Sequence, residues 1–205
     1  MKRTLLSCIA LASTLTLGTL SRADDWKPEP GFKSLFNGTD LTGWCYRAKT
    51  DKNSTQAGAI TEKFDGKTAS SDGRYSAKDG VLTVNFPKGV ERLVQQSWTI
   101  KEFPKNFVLK IEFRASVNAD SGIFLRKPQL QCRDYLVAGP YKELKKYKPQ
   151  EWNTIVVTVK DNVAHCECNG EVLEDALKVP PTGPIGLEGD RGQMEYRHIQ
   201  LKELD

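Results

Sequence analysis

The stretch from Asn106 to Ser116 most constrains the fold, because Phe107, Leu109, Ile111 and Phe113 alternate there with Val108, Lys110, Glu112 and Arg114. Side chains two apart share a face of an extended chain, so this pattern predicts a half-buried strand with one core face and one polar face. Further strands are predicted at Gly80 to Val84, Leu93 to Trp98, Ser121 to Arg126, Gln129 to Tyr135, Trp152 to Lys160 and Val163 to Asn169. Asp161-Asn162 and Asn169-Gly170 tolerate positive φ and predict tight hairpins, the second leading into Glu171-Val172-Leu173. Gly189 to Gly192 predicts a turn closing a final hairpin between Pro184 to Glu188 and Met194 to Leu201. Residues 47 to 73, rich in Lys, Thr, Ser, Asp and Gly, read as a long surface excursion. Only Tyr141 to Lys148 reads as a helical turn. About ten short strands without alternating helices predict an all-β jelly-roll sandwich of two antiparallel sheets.

At the N-terminus, Lys2 and Arg3 precede an uncharged run from Leu5 to Leu20, and Ser21-Arg22-Ala23 supplies small residues for a signal peptidase. This predicts a secretory signal peptide over 1–23, a short leader over 24–30 and one domain over 31–205. The run is too short and too rich in Ser, Thr and Gly for a spanning helix. Cleavage removes Lys2, Arg3 and Arg22, so the 30 basic residues become 27 against 26 acidic ones, a net charge of +1. No basic cluster interleaved with aromatics remains, which argues against nucleic acid as a partner and against membrane attachment after cleavage. The expected location is the periplasm or the exterior of the cell. Cys45, Cys132, Cys166 and Cys168 survive cleavage; with no second close Cys or His pair, they read as one structural disulfide or as buried thiols rather than a metal site.

Several strings resemble one family. Gly31-Phe32-Lys33-Ser34-Leu35-Phe36-Asn37-Gly38-Thr39-Asp40-Leu41-Thr42-Gly43-Trp44 is similar to the opening of the 3-keto-disaccharide hydrolases. Asp120 to Arg126, Glu151-Trp152-Asn153-Thr154, Asn169-Gly170, Gly183 to Leu187 and Glu195 to Ile199 resemble its later motifs in the same order. The resemblance implies a concanavalin-like sandwich acting on carbohydrate, specifically on glycosides oxidised at sugar carbon 3. A ketone there acidifies the hydrogen on carbon 2, so a base can remove it and the oxygen on carbon 1 can leave, with water adding afterwards. Such a site needs a base near neutral pKa, donors for the enolate and an acid for the leaving group. The carboxylate pair of an ordinary glycosidase is not required.

The resemblance also selects residues. Arg126 matches the family's arginine, as a holder of a sugar oxygen or an enolate, or as a surface arginine paired with a neighbouring strand. Gln131 and Asp134 match a family glutamine and aspartate, and Gln129 stands where the family has glutamate, an exchange that removes a base. Glu188 and Asp190 stand where the family has glutamine and histidine, so Glu188 becomes the candidate base, with a solvated turn carboxylate as the alternative. Glu112 fits an acid or orienting role, or a cross-strand partner for Lys or Arg. Tyr141 fits a stacking platform and Arg197 the family's near-terminal arginine. His198, by alternation, points away from Arg197, and His165 reads as a surface partner of Glu167. Trp44, Trp98 and Trp152 read as packing residues. No cofactor is expected, although Asp134, Glu188 and Asp190 leave a divalent ion open. The altered positions Gln129, Glu188, Asp190 and His198 keep a second function in view, a non-catalytic carbohydrate-binding sandwich.

Overall fold

A computed structural model describes residues 26–49, 57–104, 106–137 and 139–205; the signal peptide expected over 1–23 lies outside them. The strands, in chain order, are β1 (Lys33–Ser34), β2 (Trp44–Lys49), β3 (Ala57–Lys63), β4 (Tyr75–Lys78) and β5 (Val81–Val84), then β6 (Gln95–Thr99), β7 (Phe107–Ala115), β8 (Asp120–Leu125) and β9 (Gln129–Arg133). After them come β10 (Asn153–Lys160), β11 (Val163–Cys168), β12 (Glu171–Lys178), β13 (Ile185–Gly189) and β14 (Met194–Glu203). All described ladders are antiparallel. One sheet runs β12-β11-β10-β7-β14-β5-β4 with β1 paired to β14; the other runs β3-β2-β6-β13-β8-β9. The chain is a jelly-roll sandwich of two antiparallel sheets, with no helix among the described residues.

The alternation predicted for β7 is what the fold uses. Phe107, Leu109, Ile111 and Phe113 are buried in the core, facing it together with Ile155, Val157 and Val159 of β10. From the other sheet, Ile123, Leu125, Leu130, Ile185 and Leu187 close the same core. Each such side chain contributes about 1.5–3 kcal/mol of burial. Asn162 and Asn169 both adopt positive φ in the predicted hairpins.

Three expectations change. Residues 47 to 73 are not only an excursion: they carry the end of β2 and all of β3, paired as an edge hairpin. As the edge strand, β3 is exposed on both faces along much of its length, so it lacks the apolar alternation that reveals a half-buried strand. The final hairpin is a crossover between sheets, since β13 pairs with β6 and β8 while β14 pairs with β7 and β5. Residues 141 to 148 form turns and bends rather than a helical turn. The four cysteines are buried free thiols, and burial pushes Cys166 and Cys168 up to about 12.

Candidate functional site

Along β13, Ile185 and Leu187 enter the core, so Glu188 is presented on the outward face of the six-stranded sheet. It is nevertheless only 7% exposed. Its neighbours explain this. Gln96 lies directly across on β6 and donates its amide to Glu188 Oε1 at 2.9 Å. Gln129 of β9 reaches over β8 and donates to Oε2. That reach depends on Gly122: a Cβ there would lie 2.1 Å from Gln129 Nε2. Gly186 plays the same part for Trp98, whose ring lies within 2.7 Å of where a Cβ would be. Trp98 packs with Cys45 and Phe124 in a small apolar patch on this face, apart from the main core.

From the core side the main chain of β13 is clamped by hydroxyls. Ser121 donates to the Glu188 carbonyl at 2.5 Å and bonds Tyr196 Oη at 2.8 Å, both inside the core. Tyr75 donates to the carbonyls of Leu187 and Gln95 at 3.0 and 2.8 Å. A buried carboxylate on a fixed strand, flanked by amides, is therefore held in one place.

Toward the end of the sheet, charges are matched. Arg92 forks onto Asp190 through Nε at 2.6 Å and Nη2 at 2.8 Å. Arg133 bonds Asp120 and the side-chain oxygen of Gln131, and Arg191 lies 3.6 Å from Asp120. Glu188 has no ion-pair partner among the described residues. Burial pushes its carboxyl above the ordinary glutamate value; the Gln96 amide pulls it back, the charge of Asp190 adds to the rise, and Gln129 opposes it.

Of the candidates drawn from sequence, Glu188, Asp190, Gln129 and Gln131 come together here. The others lie elsewhere. Glu112 and Arg197 pair on the outward face of the opposite sheet, Nε to Oε2 at 2.7 Å, with His198 Nδ1 3.3 Å from Oε1. His198 adopts φ 51 within the register shift between Arg197 and Gln200, and that bulge brings it to the Arg197 side, against the expectation from alternation. Trp152 lies on the same face, under the guanidinium groups of Arg114 and Arg197. His165 contacts Glu167 at 3.2 Å, as expected of a surface pair, and Asp175 at 2.9 Å.

Arg126 leaves β8 with φ 65 and turns inward, 3% exposed, donating to the Pro180 carbonyl at 2.7 Å and covering the Phe107 ring. It stands four residues along β8 from Gly122, roughly 13 Å at the rise of a strand. Asp134, fully buried, ties down a turn by accepting from the Asn118 amide at 2.9 Å and from Tyr147 and Gln150 at 3.2 Å. Tyr141 donates to Glu174, and its ring meets Tyr135 edge-on. No group of three or more His, Cys, Asp or Glu side chains among the described residues is arranged to hold a metal. Gln96, Asp120 and Arg133 are the members that sequence reasoning missed. Asp120 falls in the family-like string Asp120 to Arg126, whereas the signal of Gln96 and Arg133 was a place on predicted strands whose neighbours were not known.

A jelly-roll sandwich of family sequence, carrying a buried carboxylate among amides on one outward face, defines the class as a carbohydrate-active enzyme. The chain belongs to the family of the 3-keto-alpha-glucoside-1,2-lyase-like domain, whose model matches residues 31–202. In fold it is similar to the crystal structure of a putative glycosyl hydrolase from Parabacteroides distasonis ATCC 8503, at 19% identity and a TM-score of 0.59, over 85% of this chain and 95% of that one. A second putative glycosyl hydrolase structure from the same organism is 21% identical with a TM-score of 0.51, over 63% of this chain and 90% of that one. No curated protein matches the chain.

Proposed function

We propose that the protein cleaves 3-keto-glycosides, with Glu188 as the base that takes the proton from carbon 2. The observation that carries this reading is Glu188 itself: a carboxylate buried on the outward face, bonded by two amides, without a cation, and with its proton affinity raised. A base tuned toward neutrality is what abstraction beside a ketone needs. The electron pair of the carbon–hydrogen bond first forms the enolate of the ketone. It then returns to form a double bond between carbons 1 and 2 as the glycosidic oxygen departs. That oxygen takes a proton, for which the newly protonated Glu188 is the nearest source. Water added across the double bond gives net hydrolysis. Donors for the enolate oxygen are supplied by Gln131 and Arg133, the next outward positions of β9. Residues 1–23 would direct export of this enzyme.

The test is the purified protein with a 3-keto-glucoside, following release of the leaving group. Glu188→Gln should lower kcat by at least about 10²-fold, and a rate near that of the parent would remove Glu188 from the role. Sugar binding without any turnover would assign the non-catalytic alternative, which the row of amides at Gln96, Gln129 and Gln131 would equally serve.

A further inference from the structure

The hydrogen bonds that lead into Glu188 from β9 all run in one sense. Arg133 donates through Nη2 to Gln131 Oε1, Gln131 donates through Nε2 to Gln129 Oε1 at 3.3 Å, and Gln129 donates through Nε2 to Glu188 Oε2. The three donors stand at alternate positions of one strand and so share its outward face. A second contact of Gln129 Nε2 reaches the Ser121 carbonyl at 3.4 Å.

Both ends of this series have a fixed polarity. A guanidinium carries five N–H donors and no acceptor, and an ionised carboxylate only accepts. An amide can present either its oxygen or its nitrogen, so the two glutamines take their sense from the ends. Glu188 supplies that sense only while ionised, because once protonated it has an O–H of its own to donate. Arg133 supplies it in both states. The guanidinium is itself held in place: Arg133 is 8% exposed, it also bonds Asp120, and a Cβ on Gly139 would lie 1.2 Å from its Nη1.

We propose that Arg133 is a positioning residue for Glu188: acting through Gln131, it keeps the nitrogen of Gln129, and not the oxygen, turned toward the carboxyl group. Without it, the amides are able to turn end for end when Glu188 takes up a proton, and the Gln129 oxygen then accepts from the carboxylic O–H. A bond of that kind favours the protonated form, so breaking the series raises the proton affinity of Glu188. That Glu188 is the base rests on the proposed reaction; the effect of the series on its titration does not.

Other charges act on the same carboxyl through space. They are Asp190 with Arg92, Asp120 with Arg133 and Arg191, Arg47 and Lys49 in the cavity wall beside Gln96, and Arg74 and Tyr75 from the core side of β13. Replacing Arg133 alters that field as well as the series. Replacing Gln131 with an apolar side chain cuts the series and keeps every charge.

The test is the titration of the Glu188 carboxyl without substrate, followed by carbon-13 NMR on protein with labelled glutamate and assigned by the signal lost in Glu188→Gln. In Gln131→Met the midpoint should rise by about half a pH unit or more. Arg133→Met should raise it at least as far, whereas Arg133→Lys, which keeps a charged group that only donates, should stay near the parent value. Arg133→Met introduced on top of Gln131→Met should then add less than it does alone. An unmoved midpoint in Gln131→Met, or full additivity in the double variant, overturns the inference. Rates with a 3-keto-glucoside separate it from the reaction. If the acidic limb of kcat/KM moves with the midpoint, both stand; a raised midpoint with an unmoved limb removes Glu188 from the role of base and leaves the positioning by Arg133 standing.

Discussion

At the scale of the residue, the candidate site is built as much by two missing side chains as by those present. Gly122 leaves room for Gln129 to reach Glu188, so Gly122→Ala should push the amide away through a contact with no space for it. The amide is one of the groups that hold the carboxyl's proton affinity down. Its loss should move the acidic limb of the pH–rate profile upward, and an unmoved limb would argue that Gln129 does not govern the base. Stability carries a matching sign. Because the folded Glu188 binds its proton more tightly than the unfolded one, the folded state holds more protons as pH rises from the ordinary glutamate value to the raised one. The contribution of this group is present below that window and lost across it. Glu188→Gln should therefore flatten the fall in Tm over those pH values, as thermal melts in a buffer series would reveal.

At the scale of the element, what could be read from sequence followed how each strand is buried. The strand β7 was legible because only one of its faces is covered, and β10 and β11 because each ends in a turn of distinctive chemistry. By contrast, β3 was not, since an edge strand exposed on both faces writes no period into its residues. Nor could alternation find partners: β13 and β14 carry the patterns of a hairpin but belong to different sheets. The same limit explains the site. Glu188, Gln129 and Gln131 could be assigned to outward faces one strand at a time, whereas the place of Gln96 beside Glu188 needed the sheet order. Arg126 and His198 were misplaced because positive φ takes them out of the strand phase. The hairpin at Asn169 shows how local chemistry fixes an element: its side chain accepts from the Thr154 amide at 2.9 Å and donates to Lys146 and Asn153 at 2.8 Å, while its φ is 50. Asn169→Ala loses those bonds and the tolerance of left-handed backbone, and should cost about 2–3 kcal/mol. Urea titration with an unchanged m-value would measure it.

At the scale of the whole molecule, the two outward faces differ in kind. The eight-stranded sheet shows the solvent a ladder of paired charges around Trp152, and the six-stranded sheet carries the unpaired carboxylate. If residues 1–23 act as an export signal, the protein recovered outside the cytoplasm should begin at Asp24. N-terminal sequencing would decide it, and an intact Met1 would reject cleavage. Glu188 is bonded to Gln96, 92 residues before it, and to Gln129, 59 residues before it, on strands that meet only in the closed sheet. In any partly formed chain this side chain is surrounded by water and titrates as an ordinary acid. Its altered acidity is then a property of the assembled sheet: only where β6, β13, β8 and β9 have come together does an unremarkable glutamate gain the raised proton affinity that the proposed base requires.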